Sequence, residues 1–562
     1  MNPDDDILGR QARLALLPGQ IDELRPFGEV RPVRAGDVVY EAGAMRYPLV
    51  AVLEGRVAVV DRSEGNATVL RTSGPGEVVG ELSVLTGEAS FATCVVRAPG
   101  ALLVVPFAGV LAAMASMPDL NDALVTAFAA RRQLLMRGAG ASLTLVGQPG
   151  SPALGRLEVF ADRNRIPYRS LAPDDPAAVE LVRRLRPGRA ATDASDAEVW
   201  VVVRGERILR DPGILELAKA IGLDLVVRQE APADLIVVGA GPAGLSAAVY
   251  GASEGLDTLV VEDLAIGGQA GSSSLIENYL GFPTGIPGGD LAFRAEVQAV
   301  KFGARITVPR QATSLEVEPD GLLAVRLDDR TTVRGRTVVV ATGARYRKLD
   351  LEREAGFAGE AVHYAATDLE ARRCRGRPAI VVGSGNSAGQ AAMFLSRLAS
   401  EVHVVCRGPD LASSMSHYLV TRLEHAPNVR IRTGSQVTAL HGDDRLASVT
   451  VTGPEGEERL AACAVFVLIG AEPCTDWLPP SVQLDPQGYI LTGHDLGVAG
   501  DRLEREHDTA SHFATSLPGV FAVGDVRSGS SKRVASAVGE GAVVVQAIHR
   551  ALAAGPGGAV PR

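Results

Sequence analysis

Two glycine-rich segments carry the chemistry that this chain can be read for. Gly239-Ala-Gly241-Pro242-Ala243-Gly244 follows the apolar run 235–238, and Gly383-Ser384-Gly385-Asn386-Ser387-Ala388 follows the apolar run 379–382, 144 residues further on. A turn of this kind between a buried strand and a helix suits a diphosphate. The first glycine makes the tight turn, the second lets the backbone approach the pyrophosphate, and the third lets helix and strand pack closely. The helix N-terminus adds free N–H groups and partial positive charge. After the first segment a helix is expected over 243–254 and a strand over 257–261, ending at Glu262, 23 residues past Gly239. An acid at that offset is placed to bind a ribose hydroxyl.

The second segment differs. Ala388 takes the third glycine's place, and the next strand, 401–405, ends in Cys406-Arg407-Gly408 with no carboxylate. With Arg407 available, that end favours a 2′-phosphate, so NADPH is expected over NADH, which the loop also admits. Two dinucleotide sites in one chain point to hydride transfer between a nicotinamide and a flavin.

The elements that position these loops belong to a large chain. Its 562 residues should form three or four domains. A hydrophobic share of 46% and a charged share of 22% are those of a globular protein. A net charge of −10 without any Lys/Arg-rich block excludes nucleic acid as an expected partner. The five cysteines (Cys94, Cys374, Cys406, Cys463, Cys474) have no paired spacing, which excludes a disulfide framework or a zinc site and fits a reducing cytoplasm. The acidic start MNPDDDILGR has no apolar signal core, and the longest apolar stretch, 101–114, is too short for a membrane span and contains Pro106 and Gly109. The tail after Ala553 reads as disordered.

Residues 21–106 read as short strands broken by glycines, a small β-roll, followed by a helical stretch over 107–137. A strand at 142–146, a helix near 154–164, a strand at 199–204 and a helix near 213–220 form a compact α/β unit. Beyond the polar junction 228–234, strands and helices alternate as in doubly wound α/β domains.

Further segments resemble the flavin-binding motifs of the thioredoxin reductase family. They are Gly267-Gly268-Gln269-Ala270 with Ile276-Glu-Asn278-Tyr-Leu-Gly-Phe-Pro283, then Ala341-Thr342-Gly343, then Gly519-Val-Phe-Ala-Val-Gly524-Asp525 with Lys532-Arg533-Val534-Ala535 and Gly539-Glu-Gly541. The resemblance spans 234–552. It implies FAD, a nicotinamide domain (348–476) inserted into a flavin domain (231–347 and 477–555), and a homodimer. It also implies that Asp525 hydrogen-bonds the ribityl chain. A helix starting near Arg533 would aim its N-terminus at the flavin pyrimidine and stabilise negative charge there.

The same resemblance breaks at one place. Where the family carries Cys-Ala-Thr-Cys, this chain reads Ala365-Ala-Thr-Asp368. Neither Ala nor Asp forms a thiolate or a disulfide. Cys374 and Cys406 are isolated and are not expected to pair. Asp368 is a candidate proton relay to the reduced flavin or its acceptor, with a surface or capping role as the alternative. His363 and Tyr364 are expected near the ring, as packing.

Residues 139–230 resemble the glutaredoxin/thioredoxin fold, yet the turn that holds its cysteine pair reads Gly150-Ser-Pro-Ala-Leu154. A docking or spacer role is expected there. Residues 1–138 contain Gly76-Glu-Val-Val-Gly80-Glu81-Leu82-Ser83-Val-Leu85, which resembles the phosphate-binding cassette of cyclic-nucleotide-binding domains, with Gly43 and Gly55 at turns. Glu81 matches the acid that binds the ribose, but Ser90 stands where the family places its phosphate-clamping arginine. Loss of that pair removes a strong bidentate contact, so the fold is expected without tight nucleotide binding.

The expected architecture is multidomain α/β: a β-roll, a small thioredoxin-like domain and two Rossmann-like domains, one inserted in the other. The expected activity is transfer of hydride from NAD(P)H to FAD and of electrons directly to an external acceptor, such as ferredoxin, a quinone, oxygen or a small disulfide. Two alternatives stand beside it: a flavin-based redox sensor or scaffold with negligible turnover, and a thioredoxin-disulfide reductase that uses other cysteines.

Overall fold

The computed structural model describes residues 11–554 apart from 62–67, 81–82, 88, 138–142, 150, 186–198, 224–228, 230, 274–275, 277, 350, 352–353, 358–360, 365, 367–370, 372–373, 444 and 500–511. The first part is an antiparallel roll. Its long strands Leu49–Asp61 and Thr93–Val105 pair from Leu49↔Val105 to Val60↔Thr93, and Glu29–Val33 and Thr68–Ser73 flank them. Gly43 and Gly55 turn with φ of +91° and +84°. Leu49, Leu102 and Leu103 fill its core together with Phe128 from the following helix. The helical stretch expected over 107–137 is two helices, Phe107–Ser116 and Pro118–Arg137. Pro118 has no N–H to continue the first and biases the residue before it away from the helical region. Met117 accordingly sits at φ −124°, ψ 80°.

The second part is a four-stranded sheet. Leu143–Val146 lies parallel to Tyr168–Leu171 and antiparallel to Trp200–Val203, which pairs antiparallel with Arg207–Arg210. Helices Pro152–Arg163, Pro176–Leu185 and Ile214–Ile221 cover it.

The third part is a seven-stranded sheet. Arg305–Thr307, Thr258–Val261, Ala233–Val238, the C-terminal half of Thr332–Val340 and Val520–Ala522 run parallel in that order. Leu323–Leu327 and Ala312–Val317 complete it antiparallel. The chain leaves this sheet after Val340 and rejoins it at Val520. Between those points lies a five-stranded parallel sheet in the order Val362–His363, Ala464–Val467, Ala379–Val382, Val402–Val405, Val429–Arg432, with a three-stranded antiparallel sheet beside it. Ala344–Tyr346 and Ala471–Pro473 pair as a two-stranded link.

The parts interlock. Phe293 and Val297, on the Gly288–Lys301 helix that follows the 263–287 loop, are buried in the core of the roll. From the second part, Arg163 Nη2 donates to the Gly268 carbonyl at 2.8 Å and Asn164 Nδ2 to that of Leu264 at 3.1 Å.

Candidate functional site

The strand Ala233–Val238 is buried on both faces, as its unbroken apolar sequence requires in a parallel sheet. It ends where the strand order reverses, between Thr258–Val261 on one side and Thr332–Val340 on the other, the place where open α/β sheets bind ligands. Each glycine of the loop has its own reason. Gly239 has φ +103°, and a Cβ there would lie 2.4 Å from the Ala341 carbonyl oxygen. A Cβ at Gly244 would lie 1.8 Å from the Gly239 oxygen, so only glycine lets the Pro242–Ser253 helix sit this close. Gly241 faces open space, with only the Gly268 Cα at 3.8 Å.

In front of the loop lies a cleft of about 890 Å³. Gly239, Gly241, Pro242, Ala243, Glu262, Gly268, Gln269, Ala341, Thr342, Gly343, Gly524, Asp525, Arg533 and Val534 all line it, and Gly244 packs behind them. Asn278 and Ala535 do not. Asn278 sits on the turn that ends with Leu280, 94% exposed, beyond the Ile276–Ile286 bridge. Ala535 faces solvent, one residue into the Val534–Ala554 helix.

Glu262 is buried. Its Oε2 accepts the Ala240 N–H at 2.6 Å, and its Oε1 accepts those of Leu264 at 3.2 Å and Ala265 at 3.3 Å. Burial, aided by Asp263, raises its carboxyl from the ordinary 4.5 to about 8. Asp525 is raised by burial too, with Lys532 opposing the shift and Glu540 adding to it. Glu540 in turn accepts the Gly524 N–H at 2.6 Å and pairs with Arg527 at 2.7 Å, which fixes the Gly-Asp turn against the Val534–Ala554 helix.

Arg163, Tyr346 and Cys474 line the cleft without a signal in the sequence, beside Tyr364, which was expected there. Arg163 reaches the cleft from the second part. Tyr346 and Tyr364 stack at 6.2 Å and 8°, and the Tyr364 hydroxyl donates to Glu354 at 2.6 Å. Cys474 lines the cleft as well; its carbonyl accepts from the Thr342 hydroxyl at 2.8 Å, and burial raises its thiol. Tyr364 is thus at the cleft, whereas His363 is buried against Phe466 at 5.3 Å. Asp368, with 365 and 367, lies outside the described residues.

The second loop repeats the geometry with one methyl added. A Cβ at Gly383 (φ +142°) would lie 2.3 Å from the Leu468 carbonyl oxygen, while Ala388 is a real, fully buried side chain on the Asn386–Leu395 helix. Ser384 and Asn386 are engaged by Ser414 and by the Ser416 N–H, at 2.9 and 2.7 Å. Gly385 is half-buried, and Ser387 and Arg407 are exposed. Cys374 has a thiol neighbour other than Cys406: its side chain hydrogen-bonds that of Cys463.

In the roll, a Cβ at Gly80 would lie 3.0 Å from the Phe128 ring. Glu81 and Leu82 lie outside the described residues, and Ser83 opens the short Ser83–Thr86 helix. Ser90 is buried and its hydroxyl donates to the Ala92 carbonyl at 2.7 Å. Arg131, buried and unanticipated, donates to the carbonyls of Gly80, Val78 and Ala12 at 2.7, 2.9 and 2.9 Å. Burial and the nearby Arg71 lower its guanidinium to about 9.

Two strand–glycine loop–helix units on two parallel sheets are the framework of an oxidoreductase that works with two dinucleotides. Residues 233–541 match the family model described as pyridine nucleotide-disulphide oxidoreductase, and the chain belongs to that family. FAD and NADPH are the cofactors that family uses. Residues 30–117 match the cyclic nucleotide-binding domain model. The chain is 34% identical to a thioredoxin reductase of Treponema pallidum over 316 residues, 56% of this chain and 95% of that one. It is 33% identical to a thioredoxin reductase of Streptomyces clavuligerus, covering 57% and 94%, and 31% identical to a 34.2 kDa protein in the rubredoxin operon of Clostridium pasteurianum, covering 56% and 96%. A crystal structure of Lactococcus lactis thioredoxin reductase aligns with a TM-score of 0.46 at 26% identity, over 57% of this chain and 99% of that one.

Proposed function

We propose that this protein takes hydride from NAD(P)H and passes electrons directly to an external acceptor, with no dithiol between flavin and acceptor. One observation carries this reading. The glycine loops and the cleft are complete, yet no two cysteines stand closer than 11 positions in the sequence, and Asp368 stands where the thioredoxin reductase pattern has its second cysteine. Among the described residues only Cys474 brings a thiol to the cleft, and burial disfavours its thiolate.

In this reading the Gly239 loop and the start of the Pro242–Ser253 helix hold the FAD diphosphate. Glu262 ties the loop's Ala240 N–H to the Leu264–Ala265 turn beside the ribose. Gly268, Gln269, Ala341, Thr342 and Gly343 line the flavin's path, and Asp525, Arg533 and Val534 sit at its ribityl and ring end. Bound there, FAD supplies a two-electron carrier. The Val534–Ala554 helix turns its positive end towards the cleft and favours negative charge in front of it. Burial raises the Asp525 carboxyl, with Lys532 opposing, and the side chain stands in the cleft where it can hydrogen-bond the ribityl chain. The stacked Tyr346–Tyr364 pair lines the same cleft. The Gly383 loop takes the nicotinamide dinucleotide, with Arg407 free to meet a 2′-phosphate.

The domain reading follows the same lines. The nicotinamide unit (348–476) is inserted in the flavin unit (231–347 and 477–555), as the return of Val520–Ala522 beside Thr332–Val340 supports. The unit 139–230 is thioredoxin-like, which its strand order (fourth, third, first, second) supports, and without a cysteine pair it acts as a spacer that braces the flavin loop. The roll (1–138) keeps the cyclic-nucleotide fold without the ligand, since Ser90 is turned inward onto Ala92. Calorimetry with cAMP and cGMP should show no micromolar binding. A homodimer in the cytoplasm is expected, supported by the exposed apolar Leu280 and Val543.

The test is anaerobic reduction by NADPH followed by a screen of ferredoxin, quinones, oxygen and small disulfides. Absence of flavin bleaching by either nicotinamide would overturn the reading, as would rapid NADPH turnover with thioredoxin. A second reading, a redox sensor with negligible turnover, draws on the burial of Phe293 and Val297 in the roll, which ties a signalling-type fold to the flavin loop. Steady-state turnover with any acceptor would exclude it.

A further inference from the structure

Two of the five cysteines meet in space although 89 positions separate them in sequence. Cys463 immediately precedes the Ala464–Val467 strand, and its N–H donates to the Pro378 carbonyl at 2.9 Å. Cys374 opens the turn that leads to that same proline, its carbonyl accepting the Arg377 N–H at 2.9 Å. Both thiols therefore stand at the N-terminal end of one parallel sheet. Cys374 is fully buried, Cys463 is half-buried against the same cluster, and the two side chains are hydrogen-bonded. The Gly383 loop is at the other end of the four-residue strand Ala379–Val382, about 13 Å away along it. Neither cysteine lines the flavin cleft.

We propose that Cys374 and Cys463 form a peroxide-reactive dithiol, a reversible oxidation site separate from the flavin and nicotinamide sites. The geometry divides the roles. Cys463 is the thiol that solvent reaches, and Cys374, held behind it, is the one that resolves. The electrostatics agree: the Cys374 hydrogen bond lowers the Cys463 thiol, assisted by Arg377, while that bond and burial raise Cys374. The Cys463 thiolate attacks a peroxide oxygen, an S–O bond forms as the O–O bond breaks, and the departing hydroxide leaves as water after taking a proton. The Cys374 sulfur then attacks the Cys463 sulfenic acid, its proton leaving with the hydroxide as a second water. Two thiols are oxidised, one hydrogen peroxide is reduced, and an external thiol such as dithiothreitol restores the pair.

The test is titration of the reduced holoprotein with hydrogen peroxide, followed by thiol blocking and mass-spectrometric mapping. The expected result is loss of two thiols per chain, restored by dithiothreitol, in one cross-linked peptide that joins residues 374 and 463. Cys374→Ser should leave a sulfenic acid on Cys463 that dimedone traps, and Cys463→Ser should abolish the cross-link. Cys406→Ser and Cys474→Ser should leave it unchanged. A cross-link between any other pair, or a Cys463 that peroxide modifies no faster than Cys406, would overturn the proposal. The wild-type map alone decides it if either serine variant fails to fold.

Discussion

The Gly239 and Gly383 loops share a backbone and differ in how they close. At the first, the helix presses so near the strand that no side chain fits at Gly244, and a buried acid ties the loop's Ala240 N–H to the turn of Leu264 and Ala265 behind it. At the second, Ala388 puts a buried methyl in the third glycine's place, and the following strand is succeeded by an exposed Arg407. In the proposed reading the first keeps a dinucleotide and the second exchanges one. A cofactor that stays through every turnover repays a rigid, buried seat; a co-substrate that must leave needs an open one.

Substitutions at equivalent positions can break this contrast. The largest effect is expected for Gly244→Val, whose side chain would overlap the Gly239 carbonyl. It should cost about 3 kcal/mol, and the protein should purify without flavin absorbance. Ala388→Gly, its counterpart, should cost about 1 kcal/mol, leave flavin content unchanged and alter only the KM for NADPH. Equal flavin loss in both would remove the distinction.

Glu262→Gln keeps the shape but weakens the acceptor, and should reduce flavin retention by about 1–2 kcal/mol, read from flavin release in denaturant. It also tests the proton. An acid raised by folding binds more protons in the folded state. Its contribution to stability is therefore complete below its ordinary 4.5 and is lost as pH rises through about 8. The melting temperature of flavin-free wild type should fall relative to the Gln variant across that window, and parallel curves would refute the shift. The smallest effect belongs to Arg407→Ala. Exposed as it is, it should raise the KM for NADPH about fivefold and leave that for NADH unchanged.

What could be read from sequence was what local contacts decide. Gly239, Gly244 and Glu262 sit within 24 positions of one another, so their spacing alone places them around one turn. Pro118 carried the break between two helices in plain sight. Residues whose partners lie far along the chain gave no such sign. Arg131 satisfies carbonyls 51 to 119 positions away, Arg163 reaches 105 positions to Gly268, and Cys374 meets Cys463 rather than Cys406. Asn278 and Ala535 lie off the cleft for another reason. Asn278 sits on an exposed turn, and Ala535 follows the lining Arg533 and Val534 on an outward helix face; motif spacing does not encode facing.

Phe293 and Val297 give the chain's history a constraint. A helix that follows the flavin loop donates its aromatic and aliphatic side chains to the neighbouring roll's interior. A gene fragment starting near residue 231 would therefore inherit a greasy scar where the roll had been. The roll's core is thus completed by the Gly288–Lys301 helix, far beyond it in the chain, and neither unit presents a finished surface without the other.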